Sequence, residues 1–330
     1  MKPRGRDVGV TNDPSGAAGP TTTLSWGPCS VAAIGADSKH QDSKHQREGA
    51  DDGFVVEFFG VRGSTACHGG DIVRYGGNTA CVAVDVPGHD PIMFDIGTGA
   101  RYVGERFPTE ELFRGTCLLS HAHWDHIQGL PFFPPLLRSA SNRLDIYAPS
   151  QSDGTTVGDV VDQMMRPPLF PVGVDALPGA VVFHAVADTD FEIGDIEVKS
   201  RLIPHLGNTC GYRIDWNGHS VAYLSDHQQP GVDVYTTTAN VRELCDGVDL
   251  LIHDAQYTRP EFELRSDWGH CTVEYAVWVA RECGARNLAL FHHDPTHSDD
   301  AIDAIVAAAH VCGGPVNVFA AREGLRFSIV

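Results

Sequence analysis

The stretch His121-Ala122-His123-Trp124-Asp125-His126 places four metal-binding side chains within six residues. The apolar run Thr116 to Leu119 precedes it and predicts a strand that ends at the motif. In an extended segment, residues two apart point to the same side, so His121 and His123 can bind one ion. Asp125 and His126 lie where the chain is expected to turn into a helix, and they can face a second ion nearby. The motif therefore predicts a metal site.

Composition and charge restrict the class of protein. The net charge of −19 repels a long polyanion such as nucleic acid and favours a small substrate. The nine cysteines include no C-x-x-C pair, which is typical of reduced thiols and predicts a cytoplasmic protein. No run of eighteen apolar residues occurs, so the sequence predicts no membrane span.

The first 52 residues differ in composition from the rest of the chain. They are rich in Gly, Pro, Ser, Thr and Asp, and they contain a tandem repeat, Asp37 to Gln41 followed by Asp42 to Gln46. We expect residues 1–52 to be disordered and residues 53–330 to form one folded domain. The Pro-rich residues 150–180 form either a mobile flap beside a pocket or a surface excursion that packs on itself.

Hydrophobic patterns predict an alternation of strands and helices in the remaining chain. Strands are expected at residues 54–59, 81–86, 92–95, 144–148, 196–203, 210–216, 219–224, 250–253, 288–291, 316–319 and 325–329. Helices are expected at residues 272–283 and 299–310, the second with Ser298 as its N-cap. Each half has a run of strands followed by helices, which favours two sheets packed face to face with helices outside.

Additional ligands are required, because each ion needs four to six donors including solvent. Four residues at or near the ends of expected elements could supply them: His205, Asp226, His270 and His292. Asp226 directly follows an apolar strand, and a carboxylate there can bridge two cations.

With these residues, the chain resembles the metallo-β-lactamase-fold hydrolases. The similarity is greatest to the branch that contains RNase Z, the transfer-RNA 3′-end endonuclease, and the phosphoribosyl cyclic phosphodiesterases. It extends over nearly all of residues 54–295. The segments that carry it lie at residues 60–64, 74–79, 94–99, 120–129, 211–214, 251–257, 268–272 and 290–295. The resemblance implies an α/β (α+β) fold, a four-layer αββα sandwich of two mixed sheets with helices on the outer faces.

The resemblance also implies a role for each site residue. His121, His123 and His205 would hold one ion, Asp125, His126 and His292 would hold the second, and Asp226 would bridge them. His270 matches the proposed proton donor to the leaving group, and His253 and Asp254 match the segment that supports it. Asp95 matches an acidic residue that orients a ligand from behind.

Some assignments stay open at this point. His293 could replace His292 as the last ligand, because the two are adjacent. Arg62, Ser64, Arg74 and Asn78 could bind the phosphate or sugar of a substrate, but a role in structural turns is an equal alternative. Leu206-Gly207-Asn208 and Cys271 depart from the usual sequences of the branch. No long inserted arm of the kind that clamps transfer RNA is evident.

The sequence therefore predicts a dinuclear metal-dependent hydrolase, in which a metal-bridging hydroxide cleaves a small or cyclic phosphodiester such as a cyclic nucleotide. Two divalent ions are expected, with zinc first and manganese or iron as alternatives. Hydrolysis of a lactone, thioester or β-lactam, or a non-catalytic metal-stabilised binding module, are the competing hypotheses. As partners we expect a small phosphodiester substrate and a second copy in a homodimer, but neither a membrane nor long nucleic acid.

Overall fold

Fourteen strands and eight α-helices make up the part of the chain that the structure describes. This structure, a computed structural model, describes residues 53–330, so the disorder expected for residues 1–52 lies outside the described residues. The strands are β1 (Phe54–Gly60), β2 (Cys81–Asp85), β3 (Ile92–Phe94), β4 (Arg114–Leu118), β5 (Arg143–Ala148), β6 (Ala180–Ala185), β7 (Thr189–Ile193), β8 (Ile196–Ile203), β9 (Thr209–Trp216), β10 (His219–Leu224), β11 (Leu250–Asp254), β12 (Asn287–Phe291), β13 (Asn317–Ala320) and β14 (Arg326–Ile329). The helices are α1 (Ala100–Glu105), α2 (Trp124–Ile127), α3 (Pro134–Arg138), α4 (Val157–Met164), α5 (Ala239–Cys245), α6 (Arg259–Leu264), α7 (Val273–Glu282) and α8 (Asp299–Gly313).

The strands form two seven-stranded mixed sheets. The first has the spatial order β14-β1-β2-β3-β4-β5-β6, and the second has the order β13-β12-β11-β10-β9-β8-β7. In the first sheet, β3 to β6 pair in parallel and the other neighbours are antiparallel. In the second sheet, β10 to β13 pair in parallel and β7 to β10 are antiparallel. Each sheet is therefore half antiparallel and half parallel.

The burial pattern of the strands follows from this pairing. The antiparallel strand β1 alternates between fully and partly buried residues, while all five residues of the parallel strand β11 are buried. Alternation is typical of a strand with one face on the core, and continuous burial is typical of parallel strands covered on both faces. This difference explains why β11 is apolar up to its last two residues, His253 and Asp254.

The main core lies between the inner faces of the two sheets. Side chains from both sheets belong to one buried cluster, in which the rings of Phe94 and Tyr223 stack with centroids 4.7 Å apart. A second cluster packs the other face of the first sheet against α1, α3 and α4. On the second sheet, α5, α7 and α8 contact the outer face. The four-layer αββα sandwich expected from the resemblance is confirmed.

Several elements differ from the sequence-based expectation. Strands β6 and β7 and helices α1, α3, α4, α5 and α6 were not predicted, and each of them is at most eight residues long. Helix α8 continues to Gly313, three residues past the predicted end, and stops where Gly314 adopts a φ of 63°. Strand β14 pairs with β1, so the end of the chain returns to the first sheet.

Residues 150–180 contain helix α4 and a short 3-10 turn at Val174–Ala176. Thr156 and Asp159 form a capping box at the start of α4. Met165 is fully buried, and the ring of Phe170 lies edge-on to Phe132 at 6.0 Å.

No helix among residues 53–330 is long and apolar enough to cross a membrane.

Candidate metal centre

The predicted metal-binding residues lie at the carboxyl ends of strands from both sheets. The motif at residues 121–126 follows β4, Asp226 follows β10, and His292 follows β12. Carboxyl ends of parallel strands meet at one edge of a sheet, so the topology brings these loops together. His123 is extended (φ −66°, ψ 154°) and directly precedes α2, which carries Asp125 and His126 in a helical conformation.

A first group of donors consists of three histidines. One ring nitrogen from each of His121, His123 and His205 lies within 4.8 Å of the others. The Nδ1 of His205 donates to the carbonyl of Gly269 at 2.7 Å, which leaves its Nε2 facing the group. A Cβ on Gly269 would lie 2.4 Å from the His205 ring, and Gly269 itself has a φ of +95°. Glycine is therefore required beside His205.

A second group consists of Asp125, His126 and His292. The Nε2 atoms of His126 and His292 lie 3.2 and 3.1 Å from Oδ2 of Asp125. The adjacent His293 is directed elsewhere, because its Nε2 lies 3.0 Å from the carbonyl oxygen of Ala321. Of the two neighbouring histidines, the structure brings His292 to the cluster.

Asp226 lies between the two groups, and its two oxygens face different ones. Its Oδ1 is 3.9 Å from Nε2 of His121 and 3.8 Å from Nε2 of His205. Its Oδ2 is 3.2 Å from Nε2 of His126 and 3.4 Å from Nε2 of His292. A carboxylate in this position can bind one cation through each oxygen.

Hydrogen bonds behind the site fix which nitrogen of each ring faces inward. The Nδ1 of His126 is 2.6 Å from Oδ2 of Asp95, and that of His292 is 2.9 Å from Oε1 of Gln256. The buried Asp95 carboxylate also accepts bonds from Tyr223 and Ser120. With Nδ1 donating in this way, a neutral ring presents its Nε2 lone pair to the cluster.

The centre of this arrangement contains buried polar atoms that no hydrogen bond satisfies. The Nε2 atoms of His121 and His126 and the Oδ2 of Asp226 are buried without a hydrogen-bond partner. Because lone pairs of imidazoles and carboxylates then face each other at 3 to 4 Å, the arrangement is unfavourable unless a cation lies between them.

The pKa shifts of the histidines agree with this need. Burial lowers the pKa of His121 well below its ordinary value and that of His205 to about 4, so both rings are neutral at neutral pH and can act as ligands. Burial also opposes a charge on His126, but Asp125, Asp226 and Asp95 raise its pKa well above the ordinary value. The carboxylates therefore favour positive charge at this point, and the residues present fit divalent cations.

His270 lies beside the cluster and is held by a carboxylate. Its Nδ1 is 2.9 Å from Oδ2 of Asp254, and its ring stacks on His292 with centroids 5.0 Å apart. Burial lowers the pKa of His270, but the charge and hydrogen bond of Asp254 outweigh this, and the pKa lies above its ordinary value. The protonated ring can donate a proton to a leaving oxygen.

His253 lies beside Asp254, in the segment that the resemblance assigns to the support of His270. Its ring nitrogens lie 2.7 Å from the carbonyl oxygen of Asp254 and 2.9 Å from Nδ1 of His227. It is fully buried, and its contact with Asp254 is through the backbone carbonyl, whereas the carboxylate of Asp254 accepts from His270 and from the backbone N–H groups of His227 and Gln256. Sequence reasoning did not single out His227, although it directly follows Asp226, nor Gln256, although it lies within the matched segment 251–257.

For Arg62 and Arg74, two of the four candidate substrate-binding residues, the contacts favour the structural alternative. Arg62 is fully buried, and its guanidinium donates to the carbonyls of Gly76, Asp294 and His297, so it joins loops instead of facing a cleft. The guanidinium of Arg74 pairs with carboxylates at the start of α8, including Asp300 at 2.5 Å.

Ser64 and Asn78 lie closer to the site. The exposed Ser64 donates its backbone N–H to Oδ2 of Asp125 at 2.7 Å. The amide of Asn78 is bound to Glu323 at 3.0 Å, although the side chain also lines a cavity of about 760 Å³ beside α2. Both residues therefore make structural contacts, and Ser64 directly positions a donor of the cluster.

Comparisons with known proteins identify the family of this chain. The sequence profile described as Beta-lactamase superfamily domain matches residues 115–293, more than half of the chain. Ribonuclease Z from Synechococcus sp. (strain CC9311) is 25% identical over 300 residues, which cover 77% of this chain and 94% of that protein.

Solved structures show the same fold. The metallo-β-lactamase fold protein YhfI from Bacillus subtilis matches with a TM-score of 0.64 and 18% identity, over 84% of this chain and 99% of that one. A diphosphatase from the PhnP family matches with a TM-score of 0.61 and 18% identity, over 83% and 97%. The expectation of a catalytic protein is confirmed over the non-catalytic alternative. The chain belongs to the β-lactamase superfamily and is a metal-dependent hydrolase.

Proposed function

We propose that the protein is a dinuclear metal-dependent phosphodiesterase that cleaves a small or cyclic phosphodiester. The observation that carries this proposal is the position of Asp226, whose two oxygens face two separate donor groups. His121, His123 and His205 form one group and Asp125, His126 and His292 the other. Two divalent ions held there would activate water for attack and neutralise charge on the phosphodiester oxygens. Zinc is the proposed metal, since imidazole and carboxylate donors suit it.

His270 supports a phosphodiester over a carbonyl substrate. Cleavage of a phosphodiester expels an alkoxide, which needs a proton as it leaves. His270 can supply that proton, because Asp254 orients its Nδ1 and raises its pKa. A lactone or thioester depends less on such an acid. We therefore assign His270 as the general acid and Asp254 as its positioning residue.

The charge distribution supports a small substrate. The net charge is −19, and Lys199 is the only lysine after residue 52. Many arginines are paired with carboxylates, including Arg201 with Glu243 at 2.5 Å and Arg259 with Asp233 at 2.6 Å. Paired cations attract a polyanion weakly, so the phosphates of a long RNA find little compensation on this surface.

RNA is the second candidate substrate, because the Synechococcus relative is named a ribonuclease. The two are separated by assaying bis(p-nitrophenyl) phosphate, cyclic nucleotides and a 3′-extended transfer RNA in parallel. Zinc-loaded and manganese-loaded protein are tested separately, and bound metal per chain is measured. We expect two ions per chain and turnover of a small phosphodiester. Faster cleavage of the RNA than of every small ester would replace the proposed substrate class.

Asp226→Asn tests the bridging role. Asp249→Asn is the matched control, because Asp249 is also buried but directly precedes β11, where it accepts from Ser220 and Arg286. We expect Asp226→Asn to lose at least about a hundredfold in turnover together with bound metal, and the control to keep both. If metal-replete wild type has no turnover, or if the two variants behave alike, the proposal fails.

A further inference from the structure

A cavity of about 760 Å³ lies beside α2, and the roles proposed above do not involve it. Its volume is within the range of about 300 to 1,000 Å³ that is typical of small-molecule sites. Trp124 and Gln128 line it, four residues apart and on one face of the helical turn. Asp125 and His126, between them in sequence, belong to the donor groups. The same turn therefore carries the metal donors and one wall of the cavity.

The cavity wall is apolar and open to solvent. Five exposed large apolar side chains line this cavity: Tyr102, Trp124, Phe132, Leu137 and Leu169. Trp124 is 59%, Phe132 56% and Leu169 77% exposed. A collected patch of exposed apolar side chains marks a binding surface, whereas scattered ones need no explanation. Leu169 and Phe170 come from the 150–180 segment, so this segment forms the far wall.

The charged side chains of the wall cancel each other. Arg101 and Glu105 face the cavity, and the Nε of Arg101 lies 3.2 Å from Oε1 of Glu105. No charge of either sign is left in excess. A charged occupant would therefore lose its hydration without gaining a partner, and an uncharged occupant is favoured.

The polar side chains of the wall are also already engaged. The amide of Asn78 donates to Glu323 at 3.0 Å, and that of Gln128 donates to Thr79 at 3.3 Å. The hydroxyl of Thr98 accepts from the backbone N–H of Thr79 at 2.8 Å. Each of these groups already holds one hydrogen bond, which limits its use in reading the edge of a polar ring such as a nucleobase. Recognition in this cavity then depends on apolar area and shape.

We infer that the cavity binds a bulky, uncharged apolar group of the substrate, so that the preferred substrate is a small phosphodiester with an apolar alkyl or aryl ester group. The inference rests on the proposed phosphodiesterase function and adds a substrate class to it. The phosphodiester would lie at the donor groups, and the apolar ester group would extend past Trp124 toward Leu169. The 150–180 segment acts in this arrangement as a specificity wall.

The test compares two substrates with the same leaving group, octyl p-nitrophenyl phosphate and methyl p-nitrophenyl phosphate. We expect wild type to have a kcat/KM at least about tenfold higher for the octyl ester, because each buried methylene strengthens binding. Leu169→Asp and Phe132→Ser should lower this ratio toward one. Leu264→Asp is the matched control, because Leu264 is 83% exposed and does not line the cavity. It should keep the ratio of wild type.

Binding of the neutral fluorescent probe N-phenyl-1-naphthylamine tests the cavity without catalysis. Wild type and Leu264→Asp should bind the probe, octyl phosphate should displace it, and Leu169→Asp should bind it at least about tenfold more weakly. Equal kcat/KM for the two esters, or a ratio that Leu169→Asp leaves unchanged, would overturn the inference while the phosphodiesterase proposal stands. Absence of cleavage of both esters would count against the proposed function, and probe binding alone would then decide the cavity.

Discussion

Replacing Gly269 with alanine should weaken metal binding although no donor residue is changed. A Cβ at this position would lie 2.4 Å from both Nδ1 and Cε1 of His205, far inside any permitted contact. The ring cannot simply rotate away, because its Nδ1 is bound to the carbonyl of the same glycine at 2.7 Å. The ring must therefore move, and its Nε2 must leave the group formed with His121 and His123.

Gly269→Ala should act through two effects that can be separated, the strain of its backbone and the displacement of His205. The φ of +95° costs an L-residue roughly 1–2 kcal/mol. Displacement of His205 should lower metal affinity about 10- to 100-fold, the range found when the support of a ligand is removed. Gly284→Ala is the matched control, because Gly284 also has a positive φ, +69°, with nothing within 4 Å of the added Cβ. It should show the cost of the backbone conformation alone and keep its metal.

The measurement is bound metal per chain during titration with a chelator of known affinity, alongside urea unfolding of the metal-free proteins. We expect Gly269→Ala to lose at least as much unfolding free energy as Gly284→Ala, while only Gly269→Ala releases metal to a weaker chelator. Wild-type metal affinity in Gly269→Ala would show that His205 is not a ligand. A metal loss of equal size in Gly284→Ala would show that backbone strain alone explains the result.

Three further predictions concern the support of the site and the stability of the domain. Asp254→Asn should lower kcat about 100-fold for a phosphodiester with an alkoxide leaving group. The loss should be far smaller for a p-nitrophenyl ester, because p-nitrophenolate leaves without a proton, and metal content should not change. An equal loss for both esters would contradict an acid role for His270. Asp95→Asn should lower metal affinity about tenfold or more, because the carboxylate that accepts from His126, Tyr223 and Ser120 is lost. Chelator titration at fixed pH measures the affinity, and an unchanged affinity would refute the supporting role of Asp95. Burial raises the pKa of Glu261, but its bonds to His297 and Thr258 outweigh this and lower the pKa to about 2. The contribution of the Glu261 carboxylate to the unfolding free energy is thus complete above its ordinary pKa of 4.5 and is lost as the pH falls toward 2. Glu261→Gln should remove about 1 kcal/mol of unfolding free energy at neutral pH, after allowance for partial exposure. Between pH 4.5 and 2, the unfolding free energy of the variant should fall less than that of wild type.

Residues within one local motif could be predicted from sequence, because local geometry determines them. The spacing of His121 and His123 places both on one side of an extended segment, and the structure has His123 extended. Asp226 was predicted as a bridge from its place after an apolar strand, and its oxygens do face both donor groups. These roles in metal binding remain predictions until an ion is measured.

Residues whose partners are distant in sequence could not be interpreted in the same way. Arg62 resembles an anion-binding arginine in a glycine-rich loop, yet its guanidinium is bound to carbonyls 14, 232 and 235 residues away. The cavity is another example, since its walls come from α1, α2 and the 150–180 segment. Only the packing of those segments shows that their exposed apolar side chains form one surface. The expected homodimer and cytoplasmic location stay predictions.

The single turn α2 connects the proposed chemistry to the proposed selectivity. Its inner residues, Asp125 and His126, are fixed by Ser64 and Asp95, so the turn cannot move without disturbing the donor groups. Trp124 on its other face is therefore held at a constant position relative to those donors. The wall opposite, at Leu169, belongs to a segment that contains none of the proposed metal donors. Substitutions in the 150–180 segment can then change which ester group fits while the hydrolytic site stays intact, whereas substitutions at Trp124 should alter both.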